Sequence, residues 1–176
     1  SPRRADGLFE VKELSILGKP KGKIRWQETS GFGEGWTSDV QLWWTDAVLN
    51  DTLVLALPVE NAGKYKLNIQ MTKAHDYAIV QLYLDGNKLG GPIDLYNENG
   101  VVPTGALDMG VHQLTKGDHK LSIEIVGLNP KAIKEYMVGI DYVQLVKISS
   151  SAEENAVTVS PRRADGLFEV KELSIL

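Results

Sequence analysis

The sequence predicts an all-β fold, a jelly-roll β-sandwich of two antiparallel sheets. Three observations point there. Apolar and polar residues alternate with a period of two along several stretches. Turn signals containing Gly, Asn, Asp or Pro separate those stretches at short intervals. Helical periodicity is nearly missing, and only residues 130–135 (PKAIKE) offer a single helical turn, with Pro130 suited to its first position.

Taken in order, the opening strand is read over 8–17 (LFEVKELSIL), and the fold has one slot for it. Around Trp43 and Trp44 a second strand places adjacent tryptophans on opposite faces. Residues 52–57 (TLVLAL) are apolar on both faces, which suits a central strand, and 78–85 (AIVQLYLD) are similar. In 64–71, Tyr65, Leu67, Ile69 and Met71 face one way and Lys64, Lys66, Asn68 and Gln70 the other. In 120–125, Leu121, Ile123 and Ile125 alternate with Lys120, Ser122 and Glu124. Residues 136–148 form a long closing strand. Asp85-Gly86 marks a tight hairpin, because glycine takes positive φ without steric cost. Ala62-Gly63 and Lys116-Gly117-Asp118 mark two further turns.

The chain has 176 residues, but residues 160–176 repeat residues 1–17 (SPRRADGLFEVKELSIL) without a mismatch, so the unique unit is 159 residues long. That length suits one domain. The domain is placed at 8–148, a Ser- and Glu-rich linker at 149–159, and the second copy of the opening segment at 160–176. With 43% hydrophobic residues there is enough apolar material for a core. A net charge of −4 argues against a nucleic-acid partner, which selects a basic face. No apolar run approaches the roughly 20 residues of a membrane span. The absence of cysteine excludes disulfides, thiolate metal sites and a cysteine nucleophile.

Four segments carry a family resemblance. They are 31–47 (GFGEGWTSDVQLWWTDA), 62–86 (AGKYKLNIQMTKAHDYAIVQLYLDG), 94–130 (DLYNENGVVPTGALDMGVHQLTKGDHKLSIEIVGLNP) and 139–145 (GIDYVQL). On these the chain resembles the β-sandwich domain associated with the domain-of-unknown-function 2961 family, whose members include glycoside hydrolases. Its plan is also similar to family 6 and family 35 carbohydrate-binding modules. The resemblance implies a non-catalytic, carbohydrate-binding accessory domain of an extracellular or cell-surface protein, whose partner is a polysaccharide or oligosaccharide. It also implies a structural calcium as a candidate cofactor. In the related modules it is held by glutamates of the first strand and an aspartate of the last. Glu10 and Asp141 match the two end positions, but Lys12 stands where the second glutamate belongs. A lysine cannot ligate calcium; its ammonium could instead pair with Asp141, or Glu13 could supply the carboxylate in a shifted register.

Candidate sugar-binding residues follow from side-chain chemistry. Sugar rings present apolar C–H faces that stack on aromatic rings, while polar groups fix the hydroxyls. All four tryptophans lie within residues 26–44, and Trp36, Trp43 and Trp44 are candidates, set against the plainer reading that they pack the core. His75, Asp76 and Tyr77 lie together between two strands, and Tyr96 lies in another polar loop. Such loops at a sandwich end commonly carry function. Catalysis is not expected. None of His75, His112 and His119 belongs to a spaced metal motif, and there is no G-x-S-x-G elbow or phosphate-binding loop.

The repeat gives an alternative reading. Leu167, Phe168, Val170, Leu173 and Ile175 copy the apolar face of the opening strand. They could fill the chain's own slot or that of a neighbour, and open-ended exchange between chains would give a self-assembling structural unit.

Overall fold

The computed structural model describes residues 7–37 and 39–148. The linker 149–159, the second copy at 160–176, residues 1–6 and Ser38 lie outside the described residues, and with them the exchange residues Leu167, Phe168, Val170, Leu173 and Ile175.

Among the described residues, eleven strands build two antiparallel sheets: β1 (Leu8–Glu10), β2 (Ile16–Leu17), β3 (Lys23–Glu28), β4 (Val40–Thr45), β5 (Thr52–Val59), β6 (Gly63–Lys73), β7 (Ile79–Leu84), β8 (Asn87–Asp94), β9 (Val102–Leu114), β10 (Gly117–Gly127) and β11 (Val138–Lys147). One sheet runs β3-β4-β11-β6-β9, with β1 paired to β11 as well. The other runs β2-β5-β10-β7-β8. Alternation decides which side chains enter the space between them. Tyr65, Leu67, Ile69 and Met71 of β6 face Leu121, Ile123 and Ile125 of β10 across one shared core, and all are buried. The jelly-roll sandwich expected from the sequence is the fold observed.

Two local expectations are corrected. The opening strand 8–17 is not continuous. Phe9 pairs with Val143 in the first sheet, the chain turns through a 3₁₀ segment (Val11–Glu13), and Ile16 pairs with Leu55 in the second. The turn is capped by Glu13, whose carboxylate accepts the Glu10 N–H at 3.1 Å. The segment therefore bridges both sheets instead of extending one. Residues 130–135 also form turns without a helix. The Asn129 backbone oxygen accepts from Ala132 N–H at 2.9 Å, and its side-chain oxygen accepts from Lys131 N–H at 2.9 Å. An asparagine that spends its oxygens this way closes a turn.

The β7–β8 hairpin is clamped from outside. Asp85 and Gly86 take φ of +50° and +86°, as a two-residue hairpin turn requires. Asp85 accepts from Lys120 N–H at 2.8 Å and pairs with His119 Nδ1 at 2.6 Å. His119 Nε2 lies 2.8 Å from the Thr115 oxygen, so a doubly protonated ring satisfies two acceptors. Burial opposes the charge on His119, but the hydrogen bonds to Asp85 and Thr115 outweigh it and raise its pKa above the ordinary 6.5. Burial likewise opposes the charge on Asp85, but the His119 and Lys120 hydrogen bonds outweigh it and hold its pKa below 3.8. The His119 contribution is complete below its unfolded value and is lost as pH rises through the raised one. The Asp85 contribution is present above its unfolded value and is lost as pH falls through the lowered one. The clamp is therefore strongest between pH 3.8 and 6.5. Replacing His119 by Gln is expected to lower stability more at about pH 5 than at about pH 9 in urea unfolding. An equal loss at both values would contradict the charged pair.

Candidate functional site

The outer face of the first sheet carries a polar layer that its strand pattern dictates. Strand alternation sends Leu42 and Trp44 of β4 into the core and Gln41, Trp43 and Thr45 outward. On β6 the same rule sends Gln70 and Thr72 outward. On β11 the register slips between Ile140 and Tyr142, and this bulge carries Asp141. Gly139 leaves the room these groups need, since a Cβ there would run into Gln41 Oε1 and Thr72.

Asp141 is fully buried. Its Oδ2 accepts from Thr37 N–H at 2.8 Å and from Gln70 Nε2 at 2.7 Å. Gln70 Nε2 also donates to the Gly35 oxygen at 2.9 Å. Gly35 has φ +101°, and a Cβ on it would stand 3.0 Å from Pro103. These contacts press the loop between β3 and β4 down across the sheet. Phe32 and Trp36 of that loop pack against each other with ring centroids 6.0 Å apart.

Beside the pinned loop opens a cleft of about 120 Å³. Phe32, Trp43, Val101 and Met137 give it apolar walls, and Gln27, His75 and Asp76 give it polar ones. Arg25 lies over the Trp43 ring, 4.9 Å from its centroid, and donates to Thr45 Oγ1 at 2.8 Å, which fixes the indole. Underneath, Gln41 donates to Gln27 Oε1 at 2.8 Å and to the Tyr77 oxygen at 3.2 Å, and accepts from Thr72. Burial raises the Tyr77 pKa far above its ordinary range, so the hydroxyl stays neutral. The segment 75–76 is set by backbone bonds: Ile133 N–H donates to the His75 oxygen at 2.8 Å and Met137 N–H to the Asp76 oxygen at 3.1 Å.

The structure thus brings together Trp43, His75, Asp76 and Tyr77 of the expected sugar-binding residues, with Tyr77 as buried floor. It corrects Trp44, which is fully buried in the core and donates from Nε1 to the Lys21 oxygen at 2.7 Å. A ring with no exposed face cannot stack on a sugar. Trp36 lines a neighbouring hollow with Glu34 and Asp39 instead of the cleft. Tyr96 does not line the cleft, although its backbone bridges to Ala74, which does. Phe32, Gln27, Val101 and Met137 were not foreseen; for Phe32, an aromatic residue in a glycine-rich loop four positions before Trp36 was an available signal.

The residues expected to hold calcium do not fit that ion. Asp141 Oδ1 has no protein partner, which alone would suit a cation. Its Oδ2, however, is committed to two donors, and Lys12 pairs with Glu10 at 3.5 Å rather than with Asp141. Among the described residues no three His, Cys, Asp or Glu side chains gather as a metal site. Calcium asks for six to eight oxygens.

Comparison with solved structures places this fold among known ones. A Paenibacillus xanthan lyase superposes with a TM-score of 0.70 at 19% identity, over 84% of this chain and 14% of the lyase. A family 35 carbohydrate-binding module from an environmental isolate superposes at 0.53 and 14% identity, over 79% of this chain and 91% of the module. A Podospora anserina GH26-CBM35 β-(1,4)-mannanase superposes at 0.54 and 13%, over 89% of this chain and 30% of the enzyme. The chain therefore spans only a small part of the lyase. No family model and no curated protein matches the sequence, so the resemblance to the domain-of-unknown-function 2961 family stands on its motifs and is not shown by these comparisons.

Replacing Asp141 by Ala would leave the Thr37 N–H and the Gln70 amide without their acceptor. The expected cost is about 3 kcal/mol in urea unfolding, with a red-shifted tryptophan emission as the loop lifts. A loss within about 0.5 kcal/mol would contradict the pinning.

Proposed function

We propose that the domain is a non-catalytic carbohydrate-binding module, appended to an extracellular or cell-surface protein such as a glycoside hydrolase, and that its ligand is a polysaccharide or oligosaccharide. The observation that carries this reading is the cleft between Phe32 and Trp43, apolar walls edged by the Gln27, His75 and Asp76 side chains. Aromatic faces take the C–H side of a sugar ring and the polar edge takes its hydroxyls. At about 120 Å³ the cleft is smaller than cavities that enclose a ligand, about 300–1,000 Å³, so it suits one ring of a longer glycan. The fold is shared with a family 35 carbohydrate-binding module, which supports the same reading.

Histidine chemistry gives no support to an enzyme. His112 Nε2 is held by the Met109 oxygen at 2.7 Å and His119 by its clamp, which leaves His75 beside Asp76 at 3.9 Å. The alternative reading, a self-assembling unit joined by exchange of strand 8–17 for 167–176, rests on the identical repeat. It stands second because each described slot is already filled by the chain's own residues 8–17.

Calorimetry and affinity electrophoresis across plant, algal and bacterial polysaccharides test the first reading. At least one glycan is expected to bind, and Trp43→Ala and His75→Ala each to weaken it, the former by about tenfold or more. Trp26→Ala serves as control, because Trp26 is 46% exposed and alternates away from Gln27, which lines the cleft. Binding to no glycan, or binding untouched by Trp43→Ala, would contradict the proposal.

A further inference from the structure

The opening segment is the one part of this fold that the chain supplies twice, and the geometry of its slot sets what the second copy can do. In the slot, Phe9, Val11 and Leu14 are buried at 0%, 1% and 5% exposure. As strands, residues 8–10 pair with β11 and residues 16–17 with β5. Both short strands lie at sheet margins, so they can leave and return without unthreading any other strand. The slot begins where Leu145 N–H donates to the Gly7 oxygen at 2.9 Å, close to the end of β11 at Lys147. The chain therefore leaves its last strand beside the mouth of its first.

Residues 149–166 separate that exit from Leu167. A chain of 18 residues with random-coil dimensions has a root-mean-square reach of about 25 Å, well beyond the roughly 10 Å needed to turn back along three strand residues. Such a tether gives an effective concentration in the millimolar range, above that of a second chain in dilute solution.

We propose that residues 167–176 compete with residues 8–17 for this slot within one chain, so that the domain has two native forms of the same fold. In one the slot holds Phe9, and in the other it holds Phe168. Slot contacts cancel between the forms, because the copies are identical. The difference lies in the connections: residues 18–22 join the first copy to β3, and 149–166 join β11 to the second. Loop closure favours the shorter connection by only about sevenfold, so both forms are populated. The exchange frees residues 1–17 in one form and 160–176 in the other. This inference is independent of glycan binding.

Thermal unfolding of the full chain and its phenylalanine variants tests it. Phe9→Ala and Phe168→Ala alone are each expected to lower Tm by at most about 4 °C, since the intact copy takes over. The double variant is expected to lose about 10 °C or more, the cost of a buried phenylalanine with no substitute. Light scattering should show a monomer throughout. Should the double variant fall too far to measure, Val11→Ala with Val170→Ala gives the same comparison at smaller cost. The proposal is overturned if Phe9→Ala alone matches the double variant while Phe168→Ala is silent. It is equally overturned if rescue of Phe9→Ala appears only in oligomers that grow with concentration.

Discussion

The outer face of the first sheet depends on one buried carboxylate. Asp141 has no exposure to solvent, and a carboxyl group in that position is tolerated only where donors replace its hydration. Two donors do so, the Thr37 backbone from a loop more than a hundred residues away and the Gln70 amide from the adjacent strand. The β-bulge on β11 makes the arrangement possible, because a regular register would alternate Asp141 and Tyr142 across opposite faces. Gln70 then extends the hold to Gly35. The loop from β3 to β4 becomes a wall, and Phe32 on it closes one side of the cleft whose other sides come from β4 and the loops after β6, β8 and β10.

The two ends of the sandwich are stabilised differently. Near the cleft, neutral hydrogen bonds predominate: Gln27, Gln41, Thr72 and Tyr77 form a layer whose members hold each other without charge. Such a layer fixes side-chain positions without relying on charge. At the far end, the β7–β8 turn relies on the charged Asp85–His119 contact. Titration of that clamp acts on the hairpin and leaves the cleft untouched.

Much of the fold was legible in the sequence. Period-two alternation located β6 and β10 within a few residues, and Asp85-Gly86 marked its hairpin. Adjacent Trp43 and Trp44 do point to opposite faces, although only burial shows which one enters the core. The opening segment was misread as one strand because its apolar spacing suits either sheet. The break comes from the Glu10–Glu13 cap and from the need to cross between the sheets. The site was legible in part. His75, Asp76 and Tyr77 are neighbours in sequence and remain neighbours in the cleft, while Phe32, Val101 and Met137 come from three distant loops. No local pattern reports that Thr37 meets Asp141, since that bond depends on a bulge and on a loop folding back.

The most direct measurement of this account is amide hydrogen exchange at Thr37, followed by nuclear magnetic resonance. A loop amide held by a buried carboxylate should exchange as slowly as the core amides of β11, far behind its neighbours Gly33 and Glu34. Thr37 exchanging as fast as those neighbours would mean that Asp141 does not hold the loop and that the cleft is not a preformed site.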